Sequence, residues 1–175
     1  MSTWMVVEDE PDIYEVLLAM FEMWGIEGVA FVDGEEAIAW IDDVDAGRYR
    51  GELPELALLD IRLPGSISGA EVGARLRKSP ILGGVSMVLS TAYKLTIDEE
   101  AEIIKKAGAD KLMYKPLPKF NELQKQLEEV IAKRRAMAAE AEKSGSIKVV
   151  KTAEKKTGIK KIGGKKKAEK TENKS

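Results

Sequence analysis

The sequence predicts a doubly wound α/β domain on a five-stranded parallel sheet, followed by a disordered basic tail. Three observations predict it. Short unbroken apolar runs alternate with helical periodicities, giving five strands and five helices within about 140 residues. Each apolar run is continuous rather than alternating, as in strands buried on both faces. After Gly145 the chain turns to Lys, Thr, Gly and Glu with scattered Ile and Val, too polar to build a core.

The elements follow in order. Trp4 to Val7 forms the first strand and stops at Glu8-Asp9-Glu10-Pro11, where Pro11 suits the first turn of a helix. Ile13, Leu17, Met20, Phe21 and Trp24 fall on one face of that helix, which ends at Gly25. Gly28 to Val32 reads as the second strand. Asp33-Gly34 closes it, and Ala37, Ile38 and Ile41 carry the second helix. After a polar connection from Gly47 to Pro54, Leu56 to Leu59 is a third strand running onto Asp60. Pro64, Gly65 and Gly69 mark a loop before a helix from Ala70 to Leu76. Val85 to Leu89 is the fourth strand, ending at Ser90-Thr91. Ile97 to Ala107 is a helix stopped by Gly108. Lys111 to Tyr114 is the fifth strand, and a last helix starting between Pro118 and Asn121 uses Phe120, Leu123, Leu127, Val130 and Ile131. Its heptad spacing reaches Arg134, Met137 and Ala141, so the helix is expected to extend over 133–143, either frayed in solvent or as a weak dimerising coiled coil.

Composition removes several chemistries. Among 175 residues there is no Cys and no His, which excludes disulfides, thiolate zinc sites, imidazole metal sites and a histidine base. No apolar run approaches the ~18 residues a membrane span needs. With no secretory leader at the N-terminus, a cytoplasmic location is expected. The net charge of -2 hides a division. From Lys143 to Ser175 there are 12 Lys and 3 Glu, and the remaining 142 residues hold 16 basic and 27 acidic groups. An acidic domain carrying a basic tail is the expectation.

In a parallel sheet of this kind, sites form beyond the carboxyl ends of the strands. The first strand delivers Glu8 and Asp9, the third Asp60, the fourth Ser90 and Thr91, and the fifth Lys115. Three converging carboxylates repel one another unless a cation sits among them. Oxygen ligands without His or Cys favour a hard ion such as Mg2+. A carboxylate nucleophile then forms an acyl phosphate, with an ammonium and a hydroxyl left to bind the phosphoryl oxygens. Each residue also has a plainer reading: Asp9 or Asp12 as a helix cap, Asp60 as a turn former, Thr91 as a cap, Lys115 as a solvated side chain. The combination at four strand ends in order favours the shared site.

Val6-Val7-Glu8-Asp9-Glu10-Pro11, Leu58-Leu59-Asp60-Ile61-Arg62-Leu63-Pro64-Gly65, Leu89-Ser90-Thr91-Ala92 and Gly108-Ala109-Asp110 through Lys115-Pro116 carry a resemblance. Residues 3 to 132 resemble the receiver domain of bacterial two-component response regulators, a flavodoxin-like (βα)5 fold. The resemblance implies that Asp60 accepts a phosphoryl group from a histidine kinase or phosphotransfer protein. It implies Mg2+ held by Glu8, Asp9, Asp60 and the backbone carbonyl of Arg62, and phosphoryl contacts from Thr91 and Lys115. It further implies a cis Lys115-Pro116 bond, and a signalling face made by the fourth helix, fifth strand and fifth helix. A protein of this class catalyses only its own phosphorylation and dephosphorylation and is not otherwise an enzyme. Leu112 departs from the pattern, since an aromatic residue is usual three positions before the lysine. Arg62 and Tyr93 fall at positions that tune phosphoryl lifetime in the family, which leaves two readings of Tyr93: a bulky ring that obstructs the attacking water, or an exposed loop aromatic.

The expected organisation is a receiver domain over 1–132, a helix extension over 133–143 and a disordered Lys-rich tail over 144–175. The expected output is protein–protein interaction as a single-domain regulator, with a homodimer left open. One alternative makes the tail, for example Lys165-Lys166-Lys167, a sequence-tolerant binder of nucleic acid. A Mg-dependent phosphatase with an aspartyl nucleophile is disfavoured, because the best nucleophile follows the third strand rather than the first.

Overall fold

The computed structural model describes the backbone of residues 1–169 and the side chains of residues 1–144. Of the tail expected to be disordered over 144–175, the side chains beyond Ser144 lie outside the described residues, while its described backbone is helical through Glu169. Five strands alternate with five helices: β1 (Ser2–Val7), α1 (Pro11–Met23), β2 (Ile26–Phe31), α2 (Gly34–Asp45), β3 (Leu56–Asp60), α3 (Gly69–Lys78), β4 (Ser86–Thr91), α4 (Ile97–Ala107), β5 (Lys111–Tyr114) and α5 (Phe120–Glu169). Residues Met1–Arg134 form one compact unit, and a second begins at Arg135.

All strand pairings are parallel, in the order β2-β1-β3-β4-β5. The chain runs outward from β1 to β2, then crosses to β3 on its other side. That reversal opens a crevice at the carboxyl ends of β1 and β3, where such sheets hold their ligands. The continuous apolar runs are explained by burial on both faces. Met5, Val7, Ala57, Leu59, Met87 and Leu89 face α2, α3 and α4, whereas Trp4, Val6, Leu56, Leu58, Val88 and Met113 face α1 and α5. On the second face α5 contributes Leu123, Leu127, Val130 and Ile131, the stripe its spacing predicts.

Helix starts follow local chemistry. Asp33 accepts from the Glu36 N–H at 2.7 Å and caps α2, which therefore begins ahead of its first apolar residue, Ala37. Ser68 and Glu71 form a reciprocal capping box on α3. Thr96 caps α4, and Gly108 at φ +70° closes it. At α1 the cap position is Glu10, with no side-chain cap bond, and Pro11 starts the helix. Thus neither Asp9 nor Asp12 caps α1, and Thr91 does not cap α4.

The second strand begins two residues earlier than its apolar run suggests. Gly28 is interior to β2, where a Cβ would press on the terminal methyl of Leu18, so α1 packs closely over the strand at this point. The opposite end of the sheet is tied by charge. Asp110 accepts from the Met87 N–H at 2.8 Å and pairs with Arg134 at 2.8 Å and Arg77 at 3.3 Å, fastening α3 and α5 to the β4 and β5 starts.

Candidate functional site

Four strand ends meet at the crevice. The carboxylates of Glu8, Asp9 and Asp60 offer oxygens that all lie within 4.8 Å of one another. Glu8 and Asp60 are buried, at 2% and 7% exposure, and Asp9 is partly open to solvent. Register explains the convergence: β1 and β3 are neighbours with Val7 paired to Leu59, so the residues that follow emerge side by side. Lys115 follows the last residue of β5, beside a Lys115–Pro116 peptide bond that is cis. Its ammonium lies 2.7 Å from Glu8 Oε2 and 3.4 Å from Asp60 Oδ2.

Asp60 closes β3 in register with Ser90, which is buried at 2% exposure. Thr91, equally buried, accepts through Oγ1 from the Tyr93 N–H at 3.2 Å. The hydroxyl is thus engaged by its own loop rather than by a carboxylate. Just past Asp60, the Gly69 N–H donates to the Ile61 carbonyl at 2.9 Å, and a Cβ on Gly69 would overlap the Asp60 carbonyl. Gly69 is therefore a close-approach residue that lets α3 begin directly against the site.

The electrostatics match the arrangement. Burial and the adjacent Glu8 and Asp9 charges push Asp60 up to about 6, against the downward pull of Lys115. Burial pulls Lys115 down, yet its hydrogen bond to Glu8 and the Asp60 and Glu8 charges hold it above its ordinary value. One ammonium among three carboxylates leaves an excess of negative charge. An oxygen-only donor set with that excess fits a hard divalent cation.

Two features of the rim were not legible in the motifs. The Arg62 guanidinium carbon lies 3.6 Å from the centroid of the Tyr93 ring, stacking the loop after β3 on the loop after β4. The Tyr114 O–H donates to Glu100 Oε2 at 2.8 Å, joining β5 to α4. Glu8 also does more than its strand-end position suggests, because it is the nearer carboxylate to Lys115. Among the described residues, no helix is long and apolar enough to cross a membrane.

Comparison with known proteins places this arrangement. A model of the response regulator receiver domain matches residues 4–128. The transcriptional regulatory protein TcrA of Mycobacterium tuberculosis is 35% identical over 134 residues, covering 77% of this chain and 45% of the relative. The DNA-binding response regulator MtrA of Mycolicibacterium smegmatis is 30% identical over 112 residues, covering 64% and 43%. The chain thus spans less than half the length of these relatives. Among solved structures, the receiver domain of the sensor histidine kinase PA1611 from Pseudomonas aeruginosa, described with a magnesium ion in its active-site cleft, is 27% identical with a TM-score of 0.61. That likeness covers 75% of this chain and 98% of that one. A CheY-like receiver domain protein from Methanospirillum hungatei shares the fold at 23% identity and a TM-score of 0.64, covering 78% and 98%. With its five-stranded parallel sheet, its acidic crevice and a family model spanning most of its length, the chain belongs to the response regulator receiver domains of two-component systems.

Proposed function

We propose that Asp60 accepts a phosphoryl group from a phosphohistidine on a histidine kinase or phosphotransfer protein. The observation that carries this reading is the position of Asp60: buried at the switch point, within 4.8 Å of the Glu8 and Asp9 oxygens and 3.4 Å from Lys115. In the transfer, an Asp60 carboxylate oxygen bonds to phosphorus as the P–N bond to imidazole breaks, and the departing imidazole takes up a proton. Glu8, Asp9, Asp60 and the carbonyl of Arg62 would hold Mg2+. Bound there, the ion supplies positive charge against the phosphoryl oxygens.

The remaining steps belong to side chains. Lys115 is shared between Glu8 and Asp60, so it already stands where a phosphoryl oxygen on Asp60 would need a counter-charge. Thr91 would donate its O–H to a phosphoryl oxygen, a role that its oxygen's acceptance from the Tyr93 N–H leaves open. Hydrolysis returns Asp60 to its carboxylate, so on this reading the domain turns over no separate substrate. Its output is protein contact through α4, β5 and α5, and it acts in the cytoplasm, beside the kinases of such systems.

The test is incubation with Mg2+ and acetyl phosphate, read by intact mass. Wild type should gain one phosphoryl group and Asp60→Ala none; no gain in wild type, or equal gain in both, defeats the proposal. A second reading rests on the charge division, with 12 Lys against 3 Glu from Lys143 onward. In it the basic tail binds nucleic acid electrostatically, so duplex binding should weaken steeply with salt and vanish on truncation at Ser144.

A further inference from the structure

The loop between β3 and α3 carries the Arg62 carbonyl, so its path decides where that oxygen stands. Both ends of the loop are fixed. The Ile61 N–H donates to the Ser90 carbonyl at 2.9 Å, and the Gly69 N–H donates to the Ile61 carbonyl at 2.9 Å. Between them Leu63 and Ile67 pack, partly buried, against the core under α2, α3 and α4. Pro64 stiffens the chain and restricts Leu63 before it. Gly65 follows at φ +86°, a left-handed conformation that glycine adopts without strain.

The next residue is held from outside the loop. Glu35, in the first turn of α2, accepts through Oε1 both the Ser66 N–H at 3.0 Å and the Ser66 O–H at 3.1 Å. One carboxylate oxygen thus takes two donors from a residue 31 positions away. The start of α2 meets the same loop, since a Cβ on Gly34 would overlap the Ile67 side chain and carbonyl. A Cβ on Gly65 would press on the Glu35 carboxylate itself. The Ser66 N–H and Glu35's own N–H hold that carboxyl below its ordinary range, so it stays an acceptor at neutral pH. Glu35 stands outside the cluster of Glu8, Asp9 and Asp60.

We propose that Glu35 is a positioning residue for the metal site: by holding Ser66 it fixes the β3–α3 loop in the path that presents the Arg62 carbonyl to Mg2+. The inference rests on the reading of that carbonyl as a ligand. Ser66 lies four positions past Arg62, with Pro64 and the Gly65 turn between them, so a shift at Ser66 is passed along rather than absorbed. The stack of the Arg62 guanidinium on Tyr93 restrains the side chain and leaves the carbonyl's direction to the backbone. A loop already in place loses less freedom when the ion binds, and the anchor is read as affinity. Glu35 is exposed, so solvent screens its charge and its hydrogen bonds carry the effect.

The experiment uses the full chain with Mg2+ alone and compares wild type, Glu35→Ala and Glu35→Gln. The glutamine keeps one side-chain oxygen for both Ser66 donors and removes the charge. Titration calorimetry gives the Mg2+ Kd, and amide exchange at Ser66 reports the anchor independently. Glu35→Ala should speed that exchange and weaken Mg2+ binding about 3- to 10-fold, less than losing a group bonded directly to a ligand. Glu35→Gln should stay within about 2-fold of wild type in both measurements. A wild-type Kd in Glu35→Ala overturns the positioning role alone. So does a Glu35→Gln as weak as the alanine, which would assign the effect to charge. A wild type that takes up no Mg2+ overturns the metal reading and the positioning role with it.

Discussion

Replacing Asp60 by Asn preserves the side-chain shape while removing one of three crowded carboxylates. In the folded protein Asp60 titrates near 6, against 3.8 for an unperturbed group, because burial and the Glu8 and Asp9 charges disfavour its ionised form. Two units correspond to a ceiling of about 3 kcal/mol. Residual solvent screening at the crevice reduces this to roughly 1–2 kcal/mol. The sign follows from proton binding. Between about pH 4 and pH 6 the folded state keeps a proton that the unfolded chain has lost, so wild type loses stability as pH rises through that window. Asp60→Asn has no such loss. In EDTA, the variant should match wild type near pH 4 and exceed it at pH 8 by roughly 1–2 kcal/mol, or roughly 3–8 °C in Tm. Urea and thermal unfolding at both pH values measure the difference. A variant no more stable than wild type at pH 8, or one equally stabilised at pH 4, would refute the account of charge crowding. With millimolar Mg2+ the advantage should shrink, since only wild type keeps the full carboxylate set.

Two other substitutions probe separate parts of the site. Asp9→Asn removes the carboxylate most open to solvent, and Mg2+ affinity by titration calorimetry should fall about 10-fold or more; an unchanged Kd would remove Asp9 from the ligand set. Gly69→Ala sets a Cβ against the Asp60 carbonyl and should cost about 1–3 kcal/mol by urea unfolding, with a wild-type midpoint as the contrary result.

The fold and the carboxylate cluster were legible because both depend on period and position. Buried parallel strands leave continuous apolar runs, and the residue after each run must emerge at one edge of the sheet. Thus Glu8, Asp9, Asp60 and Lys115 could be brought together from sequence order alone. Partner choice was not legible. Lys115 and Glu8 are 107 positions apart, and which of three carboxylates the ammonium approaches depends on tenths of an ångström. Likewise nothing in the run Thr91-Ala92-Tyr93 specifies that Arg62 stacks on the ring, or in Leu112-Met113-Tyr114 that the phenol reaches Glu100. Gly69 reads as a loop residue until the Asp60 carbonyl is seen against it.

Those undetected contacts share a consequence. The charge chemistry sits on strand ends that the buried sheet holds rigidly, while the groups joining the surrounding loops are exposed and individually weak. Thr91 is the junction, being buried at 2% exposure with its hydroxyl on the Tyr93 N–H and its carbonyl on the Lys115 N–H. The Arg62–Tyr93 stack lies on one side of it and the Tyr114–Glu100 bond on the other. Neither lies in the core, so both can rearrange without disturbing β3 or β4.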